Sequence, residues 1–316
     1  MIQNTHRMYM LKQKLKHPKW WSKQIVSLVI YLLLFDLAFV FLYPFIYMLI
    51  TSIKSPSDLI DFSIKWLPTE IYLENYKFAF DNLKYVNSFL NSLGVTLAAT
   101  AGHLLGCSFI AYGFARFKFP LKKILMPILI LSIIVPVQTI MVPIYLIYSN
   151  IGLVGSPLYL GITLPTLIGN GLKGGLFVFI FYSYFQNLPR SLEEAAYVDG
   201  CNSFKTFFRI VIPTTASAFL ICGVLSVVWH WGDFYEPSLY ITDSERFLLP
   251  QMLPQIYNMQ QSLQNASTME LMQLREKYND AVLMAATALT VLPVLFAYIF
   301  VQNRFMESVA STGMKE

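Results

Sequence analysis

Long apolar runs separated by short polar segments dominate this chain, and they read as membrane-spanning helices. A helical crossing takes about 20 mostly apolar residues, and the stretches 25–50, 86–115 and 281–301 each supply them. Between Lys123 and Lys173 there is no charged residue, a distance too long for one helix. Ser149-Asn150-Ile151-Gly152 and Gly155-Ser156-Pro157 are rich in turn formers and divide that stretch into spans at 124–148 and 158–185. A further run at 214–240 is fifth in chain order, so the pattern predicts an all-α membrane protein of six spans.

The polar segments give the orientation, because Lys and Arg in short loops mark the cytoplasmic side. Arg7, Lys12, Lys14, Lys16, Lys19 and Lys23 precede the first run; Arg116, Lys118, Lys122 and Lys123 follow the second; Arg190, Lys205 and Arg209 follow the fourth. They alternate with a mixed-charge loop at 51–85, an uncharged turn near Gly152 and an acid-rich loop at 233–280. Both termini and the loop 187–213 are thus expected in the cytoplasm. The division is a basic segment at 1–24, a six-span domain at 25–306 and a tail at 307–316. The first run is too long for a secretory signal and has no small-residue cleavage site after Tyr47, so it reads as an uncleaved anchor.

Composition agrees. Hydrophobic residues make up 56% of the 316 and charged residues 13%, against roughly 25% charged in soluble domains. The net charge of +5 comes from basic residues beside apolar runs, which form no stripe of the kind nucleic acid requires. Cys107, Cys201 and Cys222 fall in or beside runs and the loop 187–213, so no disulfide framework is expected. No Cys or His pair has metal-ligand spacing, and no Gly-rich phosphate loop with its Lys is present. If ATP drives this protein, another chain binds it.

The loop 187–213 carries the most information. Ser191 is a candidate helix cap, with Glu193 and Glu194 in the first turn, where the helix dipole favours carboxylates. Gly200 suits a left-handed stop. Phe204, Phe207 and Phe208 fall on one side of a second helix, and Pro213 precedes the fifth run. The expected product is a compact amphipathic knob.

This segment resembles the EAA loop of the membrane subunits of ATP-binding-cassette importers: Glu-Ala-Ala, three residues, Gly, nine residues, Ile-x-Leu-Pro. Glu194, Ala195, Ala196, Gly200, Ile210 and Pro213 occupy those places, with Ile212 standing for Leu. Further stretches are similar to the carbohydrate branch, and to the maltose-type "G" subunit in particular. They are Trp66-Leu67-Pro68 with Leu73-Glu74-Asn75-Tyr76, Asn91-Ser92-Leu93, and Ala111-Tyr112-Gly113-Phe114-Ala115-Arg116-Phe117. Pro136-x-Gln138, Pro143-Ile144-Tyr145 and Trp231-Gly232-Asp233-Phe234 with Pro237 complete the set, Gly232 replacing the usual Asn.

The resemblance implies a type I importer permease in a bacterial cytoplasmic (inner) membrane. Such a chain carries no catalytic or metal site, and ATP and Mg are bound by its ATPase partners. Those partners are a second, homologous permease, two ATPase subunits and an extracytoplasmic solute-binding protein. Glu193, Glu194, Ala195, Ala196, Asp199, Gly200, Phe204 and Pro213 become the ATPase-coupling residues. In the loop 233–280, which is longer than the family's, residues 255–267 would meet the binding protein, with Gln255, Asn258 and Gln260 as contacts.

Polar groups inside spans default to functional candidates. Lys173 and Asn170 lie in Gly169-Asn170-Gly171-Leu172-Lys173-Gly174-Gly175, a stretch weak enough as helix to break and line a path or to form a packing seam. Trp229 and Trp231 are candidates for stacking on sugar rings, although the interfacial role common to Trp is the preferred reading. Asp36 is expected to meet a polar neighbour, and His103 to be a hydrogen-bonded packing residue. Two rivals stay open: an importer of an anionic solute, and an ion-coupled secondary transporter, which leaves the loop 187–213 unexplained.

Overall fold

The computed structural model describes residues 18–61, 63, 66–171, 173–263, 273–274 and 276–313, and every regular element among them is helical. Arg7, Lys12, Lys14, Lys16, the loop stretch 264–267 and the end of the tail lie outside the described residues.

Three continuous helices are long and apolar enough to cross a membrane, within α1 (Pro18–Ser52), α4 (Tyr85–Arg116) and α14 (Asp280–Gly313). The third run is broken into α5 (Lys122–Ile134) and α6 (Val137–Asn150), bent by 107°. Pro136 caps α6 and cannot continue the first helix, which accounts for the bend. The fourth run is two pieces, α7 (Leu160–Leu167) and α8 (Gly174–Asn187). Gly169 (φ 73°), Gly171 (φ 125°) and Lys173 (φ 63°) lie between them in left-handed backbone that interrupts any helix. The fifth run ends its helix earlier than the apolar pattern implies. Here α11 (Ala216–Gly232) stops at Asp233, and α12 (Tyr235–Tyr240) is a separate short helix. By length and composition the structure therefore holds three unbroken spans, or up to five with each bent pair counted as one.

The centre of the packing is α4. Gly102 and Gly106 form a Gly-x-x-x-Gly seam against the break in the fourth run. A Cβ at Gly102 would come within 3.0 Å of the Thr166 hydroxyl, and one at Gly106 within 3.0 Å of Leu167 and Gly169 backbone. Only glycine allows the helices so close. Next to this seam Cys107, Ala111, Tyr112, Phe177, Phe181, Phe185, Phe207 and Cys222 make the main apolar cluster, joining α4, α8, α11 and the loop 187–213. All three cysteines are free thiols. By contrast α1 leaves almost its whole length exposed, Asp36 included, and touches the remainder mainly through α14.

Between α1 and α4, α2 (Pro56–Ile60) and α3 (Glu74–Asn82) order the connecting loop. Asp58 is fixed there by the Thr69 N–H (3.0 Å) and hydroxyl (2.6 Å). Those hydrogen bonds favour the ionised carboxyl and hold Asp58 below the usual carboxylate range. The loop 233–280 contributes α13 (Leu249–Ser262), which buries Leu249, Met252 and Ile256.

Candidate functional site

The loop 187–213 folds as α9 (Arg190–Val198), a turn at Gly200, and α10 (Ser203–Thr214), with a π-helical stretch at Phe207–Val211. Pro189, not Ser191, stands at the start of α9, and no side chain caps it. The proline supplies the extended backbone of a cap itself, which leaves Ser191 inside the first turn. Gly200 has φ +81°, and the chain closes behind it through Gly200 N–H to Tyr197 O (3.0 Å) and Cys201 N–H to Ala196 O (2.9 Å). These bonds satisfy carbonyls at the end of α9. Asn202 then caps α10 by accepting the Lys205 N–H at 2.8 Å.

Helical phase separates the two adjacent glutamates. Glu193 turns inward with Ala196, whereas Glu194, Ala195, Tyr197, Val198, Asp199 and Gly200 face outward. The Arg116 Nε donates to Glu193 Oε1 at 2.5 Å, and both side chains are less than a tenth exposed (8% and 7%). Arg116 also donates to the Leu188 carbonyl (2.8 Å), and the Tyr112 hydroxyl donates to Glu193 Oε2 (3.2 Å). The last turns of α4 thus grip the knob through one buried ion pair braced by further hydrogen bonds. The second attachment is aromatic: Phe204, Phe207 and Phe208 gather round Phe109 of α4, with centroids 6.0, 4.8 and 5.8 Å away. Phe207 is buried, while Phe204 and Pro213 remain exposed. Neither Arg116 nor Phe109 emerged as a site residue from the sequence. The signal for Arg116 was its place at the end of a span; nothing marked Phe109.

The candidates inside the spans do not form one group. Asn170 and Gly171 line a small cleft with Glu236, Tyr148 and Tyr240. Lys173 is exposed at the head of α8 and does not line that cleft. Trp229 packs on Phe177 at 5.4 Å. Trp231 is buried against Phe89, and its indole N–H donates to the Thr290 carbonyl at 2.9 Å, stapling α11 to α14. His103 contacts the Ser226 hydroxyl and the His230 ring, each at 3.3 Å, between α4 and α11. In the loop 233–280, Gln255 and Asn258 of α13 are exposed, and Gln260 donates to Asp280 at 2.7 Å.

Residues 100–310 match the family described as the binding-protein-dependent transport system inner membrane component. The chain belongs to this family. It is 27% identical over 294 residues to the polygalacturonan/rhamnogalacturonan transport system permease protein of Bacillus subtilis, covering 93% of this chain and 99% of that one. Identity to the arabinooligosaccharides transport system permease protein of the same organism is 27% over 304 residues, covering 95% and 99%. A probable starch degradation products transport system permease protein of Thermoanaerobacterium thermosulfurigenes is 26% identical over 280 residues, covering 89% and 94%. The fold is shared with a bacterial ABC transporter involved in the import of the acidic polysaccharide alginate. That likeness has a TM-score of 0.72 at 21% identity and covers 90% of this chain and 98% of that one.

Proposed function

We propose that this chain is a six-span permease subunit, with both termini in the cytoplasm, of an ATP-driven, binding-protein-dependent importer of a sugar or oligosaccharide. The observation that carries the reading is the knob at 187–213. Its outer face presents Glu194, Ala195, Val198, Asp199, Gly200 and Phe204 to solvent, and its inner face is fixed to α4 by the Arg116–Glu193 pair. A surface that is exposed yet rigidly joined to the central helix can pass a push to the spans. In this account a cytoplasmic ATPase subunit docks on the outer face, and a second ATPase docks on a homologous permease. ATP and Mg reside in those subunits. Their closure moves the knob, α4 moves with it, and the path opens toward an extracytoplasmic binding protein that meets Gln255, Asn258 and Gln260. The chain itself performs no covalent chemistry, and its place is a bacterial cytoplasmic membrane.

The saccharide transport named for several relatives supports the substrate class, and the family supports the dependence on a binding protein. The test is mild-detergent purification of the tagged chain from its own cells. An ATPase and a second permease in stoichiometric amounts are expected. A chain that transports solute alone, driven by an ion gradient, would sink the proposal.

A further inference from the structure

The cleft between α6, α7 and α12 has a volume of about 60 Å³ and is walled largely by apolar groups. Glu236 is the ionisable carboxyl in that lining, half-buried and without a hydrogen bond or ion pair to its oxygens among the described residues. Asp233 lies close by: one carboxyl oxygen accepts the Tyr235 N–H at 3.0 Å, and the other is buried without a partner. Across the cleft the Tyr148 and Tyr240 rings pair at 5.3 Å, both within electrostatic reach of Glu236. Asn170, exposed in the break of the fourth run, completes the lining on its side.

An unpartnered carboxyl in apolar surroundings is costly unless donors reach it from elsewhere. The described residues supply none here. A metal ion is a poor match, because no group of three His, Cys, Asp or Glu side chains gathers among the described residues. A saccharide fits better. Its hydroxyls both donate and accept, so they pair with a carboxyl in either protonation state, its hydroxyls and ring oxygen suit an amide that both donates and accepts, and its C–H face lies well on tyrosine rings. The small volume admits the hydroxyl-bearing edge of one sugar unit at a time, as a passing chain requires.

We propose that this cleft is a hydroxyl-binding subsite on the translocation path, and that it selects neutral saccharides over acidic ones. A uronate carboxylate would enter this largely apolar cleft beside Glu236 with no cation among the described lining residues to offset its charge, since Lys173 stands outside it. The chain resembles transport proteins described for acidic and for neutral saccharides alike, so the cleft decides a matter that similarity leaves open. The inference rests on the importer reading above.

The experiment uses the complete complex with its binding protein in proteoliposomes. The binding protein is first screened alone against maltotriose, arabinotriose, cellotriose and trigalacturonate, and the trimer it binds is the uptake probe. A neutral trimer is expected. Glu236→Ala should raise its half-saturating concentration for uptake roughly ten-fold, Asn170→Ala somewhat less. Glu236→Gln, which keeps an acceptor, should lie between wild type and Ala, all in complexes that assemble normally. Affinity of the isolated binding protein is the same throughout, so the shift reports the permease. A binding protein that takes only trigalacturonate, with uptake unchanged or faster in Glu236→Gln, overturns the proposal. So does a neutral probe whose uptake is indifferent to Glu236→Ala and Asn170→Ala. Both outcomes leave the importer reading intact; absence of a copurifying ATPase would overturn the two together.

Discussion

The two ends of α4 are held by the same kind of interaction in opposite settings. At the outer end Lys84 pairs with Glu245 at 2.6 Å, with the side chains 48% and 67% exposed. Asn87 and Asn91 add hydrogen bonds to the Glu245 carbonyl at 2.6 and 3.2 Å. At the inner end Arg116 pairs with Glu193 at 2.5 Å, with the side chains 8% and 7% exposed. Distance alone would rank the two pairs as equals. Burial does not, because exposed pairs are worth little and buried pairs cannot lose one partner cheaply. The outer attachment is adjustable, whereas the inner one is a rigid joint. That asymmetry suits a helix driven from its Arg116 end.

The sharpest way to break the comparison is to remove one half of the inner pair. Arg116→Ala or Glu193→Ala leaves a buried charge alone and should cost about 3–5 kcal/mol, read as a lower thermal midpoint of the purified complex. The double variant should cost less than the sum of the singles, since the two residues form one unit. Next in size is Gly200→Ala. No atom lies near the added methyl, so its effect isolates the left-handed backbone at φ +81°, about 1–2 kcal/mol. Faster amide exchange at 196–201 with unchanged exchange in α4 is the expected signature.

At the outer end Lys84→Ala should change stability by no more than about 1 kcal/mol. The difference from wild type should shrink further in high salt, because solvent-exposed charges are screened. A drop as large as that of Arg116→Ala would erase the asymmetry. The smallest effect belongs to Asp58. Its folded pKa is depressed by the Thr69 bonds, so its contribution is present above the ordinary carboxylate value and lost as pH falls through the depressed one. Limited proteolysis near 55–75 should therefore accelerate only below about pH 4, and Asp58→Asn should abolish that pH dependence.

Much of this architecture is legible in the residues. Long apolar runs mark their helices because a bilayer demands continuous apolar length, and the glycines at 169–175 mark the break in the fourth run. Pro136 likewise stands where the third run bends. The fifth run is less legible: 214–240 reads as one long, mostly apolar run despite Asp233 and Glu236, yet α11 stops at Gly232, because Asp233 turns back to accept the Tyr235 N–H. In the knob, Gly200 and the Phe residues are readable as turn and apolar face. The difference between Glu193 and Glu194 is not, because neighbouring carboxylates look alike until helical phase and a distant Arg116 distinguish them. The Gly102–Gly106 seam could have been found from its spacing alone. The partner it packs against could not, since the break at 168–173 is distant in sequence.

The most direct test of the knob as transmitter is ATPase activity of the reconstituted complex with and without its loaded binding protein. Intact chain is compared with a Glu194→Lys plus Gly200→Asp variant, which alters the outward face and the turn but leaves Arg116 and Glu193 in place. The account predicts stimulation by the loaded binding protein in the intact complex and its loss in the variant, although the variant still inserts and pairs with the second permease. Undiminished stimulation in the variant would contradict it and remove the knob as the element through which ATPase closure reaches α4.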